Sequence, residues 1–410
     1  MQDQANTRLS VYFRLSAMMF FQYMMFAVWW VPMAAYLVNL GVSRGMAAVI
    51  LSSTALGSLA SPLGGMLADR YFKGQHVLFV SNLIMAVMLL LAAYTSHPLG
   101  LFIILLVAML FYMPTGALVS SIAMTHSPSE MFARIRVWGT IGWIMAGSFS
   151  LVSVSWLGQD FDGTRLPFFF GSALALLTAM INLTLPDTPP RGKGQQATLL
   201  DVMGFRSLVM LKDRNFRVFL LLFFFSTIPF SMYWFYFSEY LQSTGYRLIT
   251  VTMSVGQITE IFILLLVPMA IRRYGLRTTM LVGLVALVVR YLAFYLAGEQ
   301  AALPWVMTGV AVHGVIFGFL HLGAQIYTDK KAPAALKAQA QGLTFFVSLG
   351  LGMLAGNFFS GWVIRLFSQE ASHGIVYQWD LIWGLMTLIS LVVLVGFVML
   401  FRNEEYQPIE

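Results

Sequence analysis

The sequence predicts an all-α polytopic membrane protein with twelve transmembrane helices, and three observations carry that reading. Of its 410 residues 59% are apolar and only 10% charged, with a mean hydropathy of +0.78, whereas a water-soluble domain holds about a quarter charged residues. Apolar runs long enough to cross about 30 Å of hydrocarbon, roughly 20 helical residues each, recur along the whole length. Lysine and arginine gather on alternate connections between those runs.

Taken in order, the runs have cores at 12–38, 45–67, 76–95, 99–125, 135–156, 166–186, 216–242, 249–271, 277–297, 303–328, 338–364 and 378–402. The first follows a short polar segment, Met1 to Ser10, and is too long for a signal-peptide core, with no small-residue cleavage site after it; it is expected to remain as a helix. With an even number of spans, 18 of the 24 lysines and arginines fall on one side, among them Arg8, Arg14, Arg70, Lys73, Arg134, Arg272, Lys330 and Arg402. Only Arg44, Arg165, Arg247 and Arg365 fall on the other, while Arg136 and Arg290 lie within spans. Positive loops stay cytoplasmic, so both termini are expected inside. The net charge of +7 is then topology and not a nucleic-acid footprint.

The longest polar connection divides the spans six and six. Expected domains are an N-terminal six-helix bundle at 1–187, a cytoplasmic linker at 188–215, and a C-terminal six-helix bundle with a short tail at 216–410. The linker opens on Pro189, Pro190, Gly192 and Gly194, which resist helix, and continues through Thr198 and Asp201 as a capping pair. Leu199, Val202, Met203, Phe205, Leu208, Val209 and Leu211 then form an apolar stripe. The stripe reads either as a helix lying on the membrane surface or as an ordinary connector.

Several functions are excluded or disfavoured. The absence of cysteine removes disulfides, thiolate metal sites and cysteine nucleophiles. No phosphate-binding loop, nucleophile triad or metal cluster can be assembled, so neither ATP hydrolysis nor other catalysis, and no cofactor or metal, is expected.

Gly65-Met-Leu-Ala-Asp69-Arg70-Tyr-Phe-Lys73 resembles the signature loop between the second and third helices of the major facilitator superfamily. Arg272-Arg273-Tyr-Gly275-Leu-Arg277 sits at the matching place in the second half, as internal repeats predict. The resemblance implies two six-helix bundles that rock in alternating access, with Gly65, Asp69, Arg70 and Lys73 governing the conformational switch. Simple cytoplasmic anchoring is the plainer alternative.

Function has to come from polar groups worth their cost inside hydrocarbon. Glu260 stands near the middle of the eighth span with Gln257 one turn away, a pair able to bind a polar ligand or take up a proton; the alternative is a structural ion pair with Arg136 or Arg290. Arg136, Thr140 and Trp143 form one stripe of cation, hydroxyl and aromatic plate on the fifth span, suited to a flat ring bearing hydroxyls unless Arg136 merely snorkels. The tenth span places His313, Phe317 and His321 at four-residue intervals, with Gly314 and Gly318 expected to open space beside them. The two histidines read either as a proton relay or as packing residues. For Arg290 structural pairing is expected.

Together Tyr112-Met-Pro-Thr115, Ile135-Arg136-Val-Trp138-Gly139-Thr140-Ile-Gly142, Leu185-Pro-Asp187, Gln257-Ile-Thr-Glu260, Arg273-Tyr-Gly275 and Ala338-Gln-Ala-Gln-Gly342 resemble the nucleoside:H+ symporter family over most of the chain. The resemblance implies a proton-coupled nucleoside importer of the bacterial inner membrane, acting as a monomer in the lipid bilayer. Its implied substrate site is Arg136, Thr140, Trp143, Gln257, Glu260, His313 and Phe317. Two departures stand out. The family commonly carries an aspartate for proton coupling where this chain has Gly318, so Glu260 or His321 is expected to take the proton. Ser231 and Trp234 replace its polar base-contacting residues on the seventh span. A sugar or glycoside importer and a non-transporting membrane sensor are the rival readings.

Overall fold

The structure, a computed structural model, describes residues 2–59, 71–127, 129–190, 205–333, 336–371 and 374–402. Among the described residues ten helical stretches are long and apolar enough to cross a membrane: Leu9–Asn39, Gly74–Tyr94, Pro98–His126, Arg134–Trp156, Leu166–Leu183, Arg214–Ser243, Ile249–Ala297, Leu303–Lys331, Gln339–Leu366 and Trp379–Leu400. The second span begins as two short helices, Arg44–Leu51 and Ser53–Leu59. The 49-residue stretch Ile249–Ala297 contains both the eighth and ninth spans, broken at Gly275, whose φ of 79° and ψ of 161° no L side chain adopts comfortably. Gly65, Asp69 and Arg70 lie outside the described residues, as does the linker from 191 to 204.

Two compact units emerge: residues 1–42, 49–197 and 247–254 in the first, and 43–48, 198–246 and 255–410 in the second. Within the first, three spans are tied by a buried polar knot. Gln22 donates to Thr115 (2.8 Å), Asn82 donates back to Gln22 (2.8 Å), and Tyr112 donates to the Gln22 carbonyl (3.1 Å). The Tyr112-Met-Pro-Thr115 motif thereby gains a physical account. Pro114 interrupts the helix, the Gly116 amide turns to the Met113 carbonyl (3.4 Å), and the Thr115 hydroxyl donates to the Tyr112 carbonyl (2.6 Å). At the first span's contact with the fifth, a Cβ on Gly142 would collide with the Phe20 backbone. Helix backbones touch there as they do at small-residue membrane interfaces.

Leu185-Pro-Asp187 closes the first unit at the end of the sixth span. Asp187 pairs with Lys73 (2.7 Å) and accepts from Gln75 (2.8 Å), contacts that hold its carboxyl below the usual carboxylate range. The nearby Thr188 bonds His126 (2.8 Å). In the connection after the fifth span, burial pushes the Asp162 carboxyl up, although it accepts from Ser150 (2.7 Å) and from the Thr250 amide and hydroxyl (3.0 and 2.7 Å). Asp162 so caps the first turn of the eighth span.

In the second unit Asp213 caps the seventh span by accepting from the Phe216 amide (2.7 Å) and also pairs with Lys331 (3.2 Å). Arg277 donates to the carbonyls of Val398 (3.0 Å) and Phe401 (2.8 Å), filling the orphaned acceptors at the end of the twelfth span. That span turns Leu388, Val392 and Met399 outward and Ile382, Trp383 and Met386 inward, the pattern of a helix with one face on lipid.

Two local features differ from the sequence expectation. Phe205–Lys212, the described part of the linker, winds as a 3-10 helix and not as an α-helix. It is anchored where Ser207 donates to the Gln339 carbonyl (3.1 Å) and where Asp213 starts the next helix. Between the eleventh and twelfth spans, Ser368–Ala371 pairs antiparallel with Gly374–Tyr377, placing Ser368 opposite Tyr377. The β-branched pair Ile375 and Val376 suits that strand.

Replacing Gly142 with leucine is expected to destabilise the protein by about 1–3 kcal/mol or more through overpacking. Gly116→Ala, where a Cβ meets open space, is expected to be neutral or stabilising by up to about 1 kcal/mol. Thermal unfolding in detergent checks both, and equal effects would remove the backbone-contact argument.

Candidate substrate and proton site

In the first unit Arg136 lies half-buried with its guanidinium carbon 4.5 Å from the centroid of the Tyr23 ring. Gly139 keeps that approach open, since a Cβ there would come within 2.9 Å of both Arg136 Nη1 and the Tyr23 ring. The cation is therefore held against an aromatic face. One turn on, Thr140 is buried, and Trp143 stands edge-on to Phe26 at 5.8 Å. Phe26 in turn stacks on Tyr112 (4.7 Å) and Trp30 (5.5 Å). Tyr23, Phe26 and Trp30 escaped the sequence reading because an aromatic-rich first span looks like ordinary lipid-facing sequence. Their placement at positions 23, 26 and 30, one helical face, was the available signal.

In the second unit the eighth and tenth spans meet at their backbones. A Cβ on Gly256 would come within 2.9 Å of the His313 Cβ, and one on Gly314 would overlap the Thr259–Glu260 peptide. Thr259 donates to the Ala311 carbonyl (2.7 Å) and accepts from the Gly314 amide (3.3 Å). Gly314 and Gly318 thus do not open space, as expected from sequence; the eighth span fills it. At Gly318 a Cβ would already approach Ile263 at 2.8 Å, which accounts for a glycine there.

This contact brings Glu260, Gln257 and His313 together. All three are buried, and Glu260 Oε2 lies 3.8 Å from His313 Nε2. The ring's other nitrogen, Nδ1, bonds Arg290 (2.9 Å). Within its unit Glu260 is therefore linked to Arg290 through His313. Along the tenth span Ile316–His321 winds as a π-helix, whose wider turn brings residues four apart nearly into line. The rings of His313, Phe317 and His321 accordingly stack in sequence, at 6.1 Å and 5.8 Å. Such π turns concentrate at functional sites, and nothing in the residue pattern announces one. His321 is enclosed by Phe223, Phe230 and Phe317, and its Nε2 has no hydrogen-bond partner. On the seventh span the Ser231 hydroxyl donates to its own helix at Ile228 (2.7 Å), while Trp234 stacks beside Phe230 (6.2 Å).

A second buried charge pair was missed. Arg44 donates to Glu239 and to the Tyr377 hydroxyl, with the Glu239 side chain 2% exposed. Arg44 reads from sequence as a loop cation. Glu239 hides at the end of the seventh apolar run, but on the same side of the membrane as Arg44, and that shared side was the clue.

Comparison with solved structures shows that this fold is similar to that of known membrane transporters. It matches a crystal structure of a mutant of the nucleoside transporter NupG with a TM-score of 0.88 at 23% identity, over 96% of this chain and all of that one. The xylose transporter XylE from E. coli matches at 0.69 and 14% identity, over 97% of each chain. The chain belongs to the family described as Nucleoside H+ symporter, whose profile matches residues 9–406. It is thus a multi-pass membrane protein of a bacterial inner-membrane transporter family, not an enzyme. Among its relatives in Escherichia coli strain K12, the protein named "Putative nucleoside transporter YegT" is 33% identical over 401 residues, 96% of this chain and 94% of the relative. Xanthosine permease is 26% identical, over 95% and 96%.

Glu239→Ala is expected to cost about 3–5 kcal/mol, because it leaves the Arg44 guanidinium buried without its counter-charge. The double variant Arg44→Leu with Glu239→Leu is expected to cost less than that single change. Denaturation of the purified proteins in detergent checks the order.

Proposed function

We propose that the protein imports nucleosides by proton symport through alternating access. The observation that carries the reading is the buried grouping of Glu260, Gln257 and His313 beside the Phe317 ring, on helices fixed by backbone contact. A carboxylate and an amide one turn apart match the paired hydroxyls of a ribose, and hydrogen bonds to a charged acceptor are the stronger kind. Phe317 in the second unit and Trp143 in the first offer flat faces to a base, while Arg136 and Thr140 supply a cation and a hydroxyl. Membership of the family and relatives named for nucleosides and xanthosine support this choice of substrate.

Glu260 is the proposed proton carrier, with His321 the other titratable group of the same unit's interior. The Gly318 position is crowded against Ile263, so a proton carrier has to be another acid, and Glu260 is the buried carboxylate of the proposed substrate site. Both termini are proposed to lie in the cytoplasm, a reading that the distribution of lysine and arginine supports. Lys73, paired with Asp187, belongs to the proposed switch region with Gly65, Asp69 and Arg70. The transporter is proposed to act as a monomer.

A panel of labelled nucleosides offered to proteoliposomes under an imposed pH gradient tests this. Glu260→Gln and Arg136→Ala are each expected to lower uptake about 10- to 100-fold, the loss of a hydrogen bond to a charged group worth about 1.5–3 kcal/mol, with folding retained. Competition by free sugars but not by nucleosides would overturn the substrate assignment. Uptake indifferent to pH and to a protonophore would overturn the coupling.

A further inference from the structure

We infer that Arg290 is a positioning residue for proton coupling: it locks His313 as the Nε2–H tautomer and so sets how readily Glu260 holds its proton. The inference rests on the reading of Glu260 as proton carrier. Arg290 is wholly buried in the ninth span. Its Nη2 bonds His313 Nδ1 (2.9 Å), its Nε donates to the Gly309 carbonyl (3.2 Å), and its guanidinium carbon lies 4.1 Å from the Tyr233 ring centroid. Its Nη1 is buried with no hydrogen-bond partner, and no carboxylate pairs with it directly among the described residues. A full charge is thus placed in hydrocarbon with a histidine, a carbonyl, an aromatic face and the neighbouring Tyr291 side chain as its company, a costly arrangement for structure alone.

The bond to His313 has only one chemical sense. A guanidinium donates and never accepts, so Nδ1 must offer its lone pair. The ring is then neutral and carries its proton on Nε2, the nitrogen 3.8 Å from Glu260 Oε2. An imidazolium would set N–H against N–H at the Arg290 contact. His313 consequently relays a fixed positive charge to Glu260 without taking up a proton itself.

The geometry is rigid because the eighth and tenth spans touch backbone to backbone at Gly256 and Gly314. Among the described residues of this unit, polar groups face the relay from four spans. Tyr233 comes from the seventh span, Gln257, Thr259 and Glu260 from the eighth, Arg290 and Tyr291 from the ninth, and His321 stands beyond the Phe317 ring on the tenth. Of these Arg290 is the one permanent charge. By favouring the carboxylate form of Glu260, it opposes proton loading and assists release.

Two measurements test the inference. Nitrogen-15 histidine spectra of the full protein in proteoliposomes, with the His313 signal assigned by its loss in His313→Gln, are expected to show an unprotonated Nδ1 and a protonated Nε2. In Arg290→Met that preference is expected to disappear. A proton on Nδ1 in the wild-type protein, or the same tautomer with and without Arg290, would overturn the inference while leaving the nucleoside assignment standing. In uptake assays, Arg290→Met is expected to displace the pH of half-maximal uptake upward by about one unit, the size of a nearby charge effect, and Arg290→Lys to restore most of it. A lower rate with an unmoved pH profile would reduce Arg290 to a structural residue. Absence of nucleoside uptake by the wild-type protein at any pH would instead remove the transport reading, and the tautomer spectra would still decide the relay.

Discussion

A hydrogen-bonding or charged group inside hydrocarbon has no water to fall back on, and this single constraint organises the molecule. It explains why several polar side chains in the spans bond to one another in sets. Gln22, Asn82 and Thr115 exchange bonds across the first, third and fourth spans. Arg44, Glu239 and Tyr377 form a second set, and Arg290, His313 and Glu260 a third. The first consists of amides and hydroxyls whose mutual bonds hold helices together. The third differs in kind, because its charges are separated by a neutral ring and its members face the groups proposed to meet substrate.

Close backbone approach is the second theme, and it follows from the first. A polar set works only if the helices carrying it stand at one distance, and side-chain packing alone would leave slack. Glycines at 142, 256 and 314 remove that slack by letting one helix rest on the peptide groups or Cβ of another. Gly142 belongs to the Ile135–Gly142 segment that carries the family resemblance, and Gly256 stands directly before the Gln257–Glu260 segment, which ties these recognisable residues to spacing as much as to chemistry.

The spans were legible because twenty-residue apolar runs leave little else to form, and the break between the eighth and ninth could be read from the Arg273-Tyr-Gly275 segment. The grouping of Glu260 with Gln257 followed from helical spacing. The link from Glu260 to Arg290 was not readable, because it passes through His313 on another span and depends on which helices touch. Glu239 was overlooked for a different reason: a single carboxylate at the end of an apolar run looks like a span boundary. The hairpin at Ser368–Tyr377 was not readable because its two strands are four residues each, too few for a periodicity to develop, and the apolar stripe at Phe205–Lys212 does not distinguish 3-10 from α winding.

The π-helical stretch Ile316–His321 carries a last consequence. Such a turn holds one residue more than ordinary winding needs, so everything beyond it is dialled round relative to everything before it by about 100°, the rotation of one residue in an α-helix. Leu322–Lys331 therefore presents to its neighbours a face that the numbering of His313 would assign elsewhere. Any scheme that transfers positions along this span by counting in steps of 3.6 will be right up to Val315 and wrong by one notch afterwards.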